Sequence, residues 1–212
     1  MKSYSNVQNH HVAPAGASHA PFARSPLPGL PPFPNAKSRA LSVAPDIALR
    51  PARDQDLPFL LRLYGETRIA NLSASPWSQA QKQAFIADQF SLQHLHYLQR
   101  NPNADFWLIE RIGADGGKEA IGRLYLDRSQ PEWRAIDLSL LVRARGAGVG
   151  GALIRSIQDA AIQAGADAVT LYVEKTNHGA RALYARSGFE EETSAFPSHS
   201  LMRWRASKSA PS

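Results

Sequence analysis

The sequence predicts an α/β (α+β) domain, with a mixed, mostly antiparallel sheet of about seven strands and four helices. Two amphipathic stretches with apolar residues at helical spacing come first. Three apolar-rich runs follow, separated by "GADGGK" and "RSQPE", turn sequences that join neighbouring strands antiparallel. A glycine-rich loop, a helix and a buried strand come next, and a strand reached through a helix lies parallel to its predecessor.

In chain order, "DIALRPA" reads as a short strand that opens the folded chain near Asp46. "RDQDLPFLLRLYGETR" places Leu57, Leu60, Leu61 and Tyr64 on one helical face, with Asp54 as N-cap. After the loop "IANLSASP", a helix from about Trp77 to Gln99 aligns Ile86, Phe90, His94 and Tyr97, and His94 is expected to pack at the core edge. "DFWLIERI", "AIGRLYLD" and "WRAIDLSLLV" form the meander. The helix after the glycine loop runs to Ala164, with Leu153, Ile157, Ala160, Ala161 and Ala164 inward, and Gly165 ends it. "AVTLYVE" is the parallel strand. A short helix follows Asn177, its natural N-cap, with Ala180, Leu183 and Tyr184 on one face and Gly188 at its end. "FEEETSAF" and "SLMRWRA" close the sheet.

Composition narrows the function. Eight of the 15 prolines fall in residues 1–45, so that segment is expected to be a disordered extension of the domain at 46–206, with 207–212 a second disordered tail. His10, His11 and His19 lack acidic or thiolate partners there, and no metal site is expected. The absence of cysteine removes disulfides, thiolate metal sites and a cysteine nucleophile. The net charge of +6 is concentrated in the extension, leaving 20 basic against 18 acidic residues elsewhere, and no nucleic-acid surface is expected. No apolar run is long enough for a membrane span. A cytoplasmic protein without membrane association is expected.

"RARGAGVGGALI" has two readings. Gly146, Gly148 and Gly151 fit the dinucleotide spacing G-x-G-x-x-G, with Glu174 where a ribose-binding acid would stand; Arg145, Gly148 and Gly150 fit R-x-x-G-x-G, another pyrophosphate loop. Topology disfavours the first. A doubly wound domain needs further β-α-β units after the acid, and fewer than 40 residues remain.

From Leu138 to Phe189 the sequence resembles the GNAT superfamily of acyl-CoA-dependent N-acyltransferases, in "LSLLV", the R-x-x-G-x-G loop, "VTLYVEKTN" and "NHGARALYARSGF". The resemblance implies a GNAT fold splayed at strands 4 and 5, acetyl-CoA as cosubstrate, and no metal. It implies that the pantetheine arm bonds backbone groups of Leu140, Leu141 and Val142 as an added strand. Backbone N–H groups of Arg145, Gly146, Ala147, Gly148, Val149, Gly150 and Gly151 would face the pyrophosphate at the helix N-terminus, where the dipole favours an anion. Proline is common in the family where Val142 stands, and a longer polar residue where Ala147 stands; neither change removes a backbone donor.

Tyr184 is the expected catalytic residue, a phenol able to donate to the departing thiolate. Asn177 is expected as helix cap and cofactor contact. Asp137, Glu66, Glu132 or water remain open as the base, and Arg68 as a contact for an acidic substrate group. Trp77, Trp107, Trp133 and Trp204 read as packing residues. The resulting expectation is an N-acetyltransferase acting on a small-molecule or peptide amine acceptor by direct transfer in a ternary complex, with a homodimer as the candidate assembly. Its rival is a non-catalytic GNAT-like module that binds acyl-CoA as sensor or scaffold.

Overall fold

The computed structural model describes residues 29–35, 40–68, 72–73 and 75–206. They form two compact units, one comprising the chain up to Pro34 with Arg53–Pro102, the other Asn35–Ala52 with the chain from Asn103 onward. His10, His11, His19, most of the "IANL" loop and the 207–212 tail lie outside the described residues. Among the described residues, no helix is long and apolar enough to cross a membrane.

The first unit is a helix pair. α1 (Leu57–Arg68) is entered through a 3-10 turn at Asp54–Asp56. Asp54 is not the N-cap expected of it. Cap geometry falls one residue earlier, at the extended Arg53, whose N–H donates to Asp56 Oδ2 at 2.8 Å, while Asp54 Oδ1 accepts the Phe33 N–H at 2.9 Å. α2 (Gln79–Arg100) starts at a capping box: Ser78 Oγ accepts from the Gln81 N–H at 3.2 Å and Gln81 Oε1 accepts from the Ser78 N–H at 2.8 Å. Its expected stripe of Ile86, Phe90, His94 and Tyr97 is buried. On α1 the stripe is rotated, because Leu63 is buried where Leu61 was expected. Close helix contact is made where Gly65 faces Ile86 and Tyr64 meets Phe90. His94 is a core histidine, its Nε2 lying 3.2 Å from the Pro31 carbonyl and its ring meeting Phe33 edge-on at 4.8 Å.

The second unit holds the seven-stranded sheet, in the order β1-β2-β3-β4-β5-β7-β6. β1 (Ile47–Pro51), β2 (Asp105–Ile112), β3 (Lys118–Asp127) and β4 (Glu132–Leu140) are successively antiparallel. α3 (Val149–Gln163) then carries the chain to β5 (Ala168–Glu174), which lies parallel to β4 as expected. α4 (His178–Arg186) leads to β6 (Glu190–Glu192) and β7 (His199–Arg205). β6 stops short of the expected "FEEETSAF" because Ser194 Oγ accepts the Phe196 N–H and turns the chain.

Leu108, Ile109, Ile121, Leu124, Leu126 and Val169 are wholly enclosed in the sheet, and α3 contributes Leu153, Ile154, Ile157 and Ala161. Truncating Leu153 or Ile157 to Ala at such sites costs about 2–5 kcal/mol. Ala164, expected inward, is exposed because it is already the C-cap.

The sheet has two register shifts, one between β2 and β3 at Ile109/Glu110 and one between β3 and β4; the second separates β4 from β5. Tyr125 faces Asp137 and Leu126 faces Ala135, so Ile136 is an extra residue in β4, a β-bulge that bends the strand. Pairing of β4 with β5 runs from Glu132↔Ala168 to Ala135↔Leu171 and stops there. Past the bulge β4 stays with β3 up to Gly122↔Leu140, and β5 stays with β7 up to Glu174↔His199. The two parallel strands part at Ile136.

The contacts of Pro31 and Phe33 within the first unit yield a stability test. Deleting residues 1–28 leaves each of them in place and should leave the melting temperature unchanged. Deletion through residue 44 removes them and should lower it, by about 2–4 °C per kcal/mol lost. Scanning calorimetry of the two truncations checks this.

Candidate functional site

The far end of β4 is built for an added strand. Leu141 donates its N–H to the Ile121 carbonyl at 2.9 Å, making Leu141 and Ile121 a hydrogen-bonded pair. The antiparallel alternation therefore turns the backbone groups of Leu138 and Leu140 away from β3, toward the side that β5 has left. Leu141 does not offer its backbone as expected, since its carbonyl also accepts from the Ala144 N–H at 2.9 Å. Val142 begins a 3-10 turn through Ala144 and its side chain is exposed.

Arg145 departs from expectation in a similar way. Its N–H closes the turn on the Val142 carbonyl at 3.2 Å, and its Nε donates to the Leu140 carbonyl at 3.0 Å. It braces the loop against the end of β4. Gly146 (φ 77°) and Gly148 (φ 81°) are left-handed, a conformation that costs a side-chain-bearing residue roughly 1–2 kcal/mol. A Cβ at either would meet nothing within 4 Å, so the loop faces open space. Ala147 stands between them, and Gly148 is the N-cap of α3. The first i→i−4 bond of α3 is Ala152 N–H to Gly148 O at 3.0 Å. The N–H groups of Val149, Gly150 and Gly151 in the first turn therefore have no such carbonyl to bond, the usual basis of an anion cradle.

α4 brings the phenol. Asn177 Oδ1 accepts from the Ala180 N–H at 3.1 Å, the expected cap. Tyr184 is 8% exposed, and its ring packs on Phe189 at 5.8 Å. Burial first, and then the negative charge of Asp137, hold its hydroxyl well above the ordinary phenol range. At neutral pH it is therefore a donor.

Asp137 is clamped. Its Oδ2 lies 2.7 Å from Arg123 Nη2, and its Oδ1 accepts from Ser139 Oγ at 2.6 Å. Both partners of the ion pair are nearly enclosed, with side-chain exposures of 4% and 9%. Both carboxylate oxygens are therefore already engaged. Glu132 sits at the opposite end of β4, paired with Arg203, and is removed from the loop by the strand's length. Glu66 and Arg68 belong to the last turn of α1 in the first unit, where the Arg68 guanidinium lies 5.4 Å from the Tyr64 ring centre.

The comparisons agree with this arrangement. The sequence model of the acetyltransferase (GNAT) family matches residues 58–189. The chain belongs to that family. This GNAT chain is 28% identical over 145 residues to the uncharacterized N-acetyltransferase YhfO of Bacillus subtilis (strain 168), covering 68% of this chain and 91% of the relative. Its fold is similar to that of the PaiA N-acetyltransferase of Thermoplasma acidophilum in complex with coenzyme A, at 20% identity and a TM-score of 0.55, covering 75% and 98% of the two chains. It is similar also to the spermidine N-acetyltransferase of Vibrio cholerae in complex with CoA and spermine, at 18% identity and a TM-score of 0.52, covering 77% and 97%.

Three parts of the GNAT site were not anticipated. The bulge at Ile136 is marked only by the adjacent apolar pair Ala135–Ile136, which breaks the polar–apolar alternation of "EWRAIDLSL". Arg123 lay unremarked within "AIGRLYLD", though a charge inside an apolar strand signals a buried partner. Gly122 stands where a Cβ would lie 2.3 Å from the Ser139 carbonyl oxygen, and an isolated glycine in a strand is a recognised sign of such close approach. A cavity of about 990 Å³ beside the second half of α3 is lined in part by Trp133, Arg128 and Asp159 and by none of the glycine-loop residues. Arg128 there is held by Asp105 at 2.9 Å and lies against the rings of Trp107 and Trp133, consistent with a packing role for both tryptophans.

The raised Tyr184 pKa has a consequence for alkaline stability. Below about pH 10 the phenol is protonated in both folded and unfolded chains and adds no pH dependence. Above it the unfolded chain loses this proton while the folded chain keeps it, so stability falls as pH rises. Tyr184→Phe should therefore lose stability less steeply than the wild type between about pH 10 and 11, as read by urea denaturation.

Proposed function

We propose that this GNAT chain transfers an acetyl group from acetyl-CoA to a primary amine by direct attack in a ternary complex. The observation that carries this reading is the opening between β4 and β5, which leads from the bulge to the glycine loop, in the same unit as a buried, protonated phenol. The cradle fits a pyrophosphate: two left-handed glycines face open space, and the first turn of α3 presents amides without intrahelical partners. Leu140 would bond the pantetheine arm through its N–H, since its carbonyl already accepts from Arg145. Asn177 lies at the start of α4, where its cap role leaves the side-chain NH₂ to face the cofactor. The coenzyme A in the Thermoplasma relative and the polyamine named for the Vibrio relative support the choice of cosubstrate and acceptor class.

The neutral amine nitrogen attacks the thioester carbonyl carbon, a C–N bond forms, the C–S bond breaks, and coenzyme A leaves as thiolate. The amine proton passes to water, because Asp137 is held by Arg123 and Ser139. No cysteine is present to carry an acyl intermediate. Tyr184 donates a hydrogen bond to the developing thiolate. Full proton transfer would run uphill, since an ordinary thiol is the stronger acid at about 8.5. The phenol thus contributes what a hydrogen bond to a charge contributes, about 1.5–3 kcal/mol.

Tyr184→Phe should therefore lower kcat by about 10- to 100-fold while the dissociation constant for acetyl-CoA stays near that of the wild type. A thiol-release screen across polyamines, amino acids, peptide N-termini and lysine peptides would identify the acceptor, and unchanged turnover in the variant would remove Tyr184 as donor. Acetyl-CoA at about 100 times its dissociation constant should stabilise the wild type by about 2.7 kcal/mol. Tight binding without turnover on any amine would favour the non-catalytic acyl-CoA module.

A further inference from the structure

The loop's glycines do not share one purpose. Gly146 and Gly148 are left-handed, with empty space where a side chain would stand. Gly150 lies inside the first turn of α3 and is absent from the left-handed set, so its backbone tolerates any residue. A Cβ at Gly150 would lie 3.1 Å from Leu183 Cδ2, and one at Gly151 3.8 Å from Leu183 Cδ1. The bare backbone is thus occupied by a leucine from α4. Leu183 immediately precedes Tyr184.

Other ties hold the rest of α4. Gln158 Nε2 donates to the Ser187 carbonyl at 2.7 Å, fixing its C-terminal end to the middle of α3. Arg181 Nη2 reaches Glu191 Oε2 at 2.7 Å, and Glu191 Oε1 accepts from Ser200 Oγ at 2.6 Å, fixing its first turns to the β6–β7 hairpin. Neither tie touches the first turn of α3. Leu183 against Gly150 is the contact that does.

We infer that Gly150 is a positioning residue: its missing side chain seats Leu183 on the first turn of α3 and so fixes the Tyr184 hydroxyl relative to the amides that cradle the pyrophosphate. The inference rests on the acetyl-transfer reading for the role of Tyr184. A side chain at residue 150 would project toward Leu183, away from the open side of the loop. Added bulk would then displace the phenol and leave the cradle intact. A misplacement of about 1 Å at a reacting group costs up to about 100-fold in rate.

The test is a cycle of Gly150→Val, Leu183→Ala and the double variant, in protein labelled with 3-fluorotyrosine and the Tyr184 signal assigned through Tyr184→Phe. Gly150→Val should leave the coenzyme A dissociation constant within about threefold of the wild type, lower kcat by about 10- to 100-fold, and shift the Tyr184 fluorine resonance. In the double variant the valine fills the space vacated by leucine, so kcat should exceed that of either single variant and the resonance should return toward its wild-type position. Gly150→Ala, which asks Leu183 to move only slightly, replaces Gly150→Val if the latter does not fold. Loss of coenzyme A binding that Leu183→Ala fails to restore would overturn the inference and make Gly150 a clearance residue for phosphate. Wild-type kcat with an unmoved resonance in Gly150→Val would overturn it too. If the wild type acetylates no amine, the functional reading fails by itself, and the fluorine resonance alone decides the placement of Tyr184: displaced and then restored supports it, unmoved defeats it.

Discussion

A single extra residue in β4, Ile136, governs the geometry of the sheet in the second unit. Parallel strands joined by a helix would ordinarily pair along their length, and such a continuous sheet has no room for a third chain. The bulge bends β4 after only four paired residues and forces a choice of partner on each side. β4 goes with β3, β5 goes with β7, and the backbone groups of Leu138 and Leu140 are left on the open side. The result is a slot beside β4, and the loop that follows β4 delivers the N-terminus of α3 to its end.

Charge inside the unit is arranged with similar economy. Arg123 and Asp137 neutralise one another almost fully enclosed, a pair costly to break because either partner alone would be a buried charge. Ser139 satisfies the second oxygen of the carboxylate. Buried, and with the negative charge of Asp137 acting on it, Tyr184 keeps its proton. The phenol's donor state thus follows from its burial and from a pair set on two adjacent strands, without any contact to substrate.

Much of the fold was legible because its elements carry strong periodic or punctuating signals. The capped helices, the turn-separated meander and the glycines closing α3 and α4 each have a local physical cause that survives in sequence. The parallel placement of β5 followed from its helical crossover. What was not legible depended on tertiary geometry. The bulge at Ile136 shows only as one break, the apolar pair Ala135–Ile136, in the alternation of "EWRAIDLSL", a signal too small to fix a register without the paired strand. Leu141 was grouped with its neighbours because a motif names a stretch, whereas the ladder alternation, which only pairing with Ile121 reveals, selects every second residue. Arg145 showed the same limit: a motif position does not say where its side chain goes, and the guanidinium turns back to Leu140. Asp54 failed as a cap because the first turn begins one residue earlier than the apolar stripe suggests.

The ion pair between Glu132 and Arg203 spans β5, since β7 and β4 are its neighbours on either side. It lies at the closed end of the fork, among the four residue pairs that join the prongs. Beyond the last pair, Ala135↔Leu171, β4 runs on to Leu140 and β5 to Glu174, prongs of about 16 Å and about 10 Å at roughly 3.3 Å per residue. The ion pair thus ties β4 to β7 across β5 at the end of the slot where the two prongs are still hydrogen-bonded to one another.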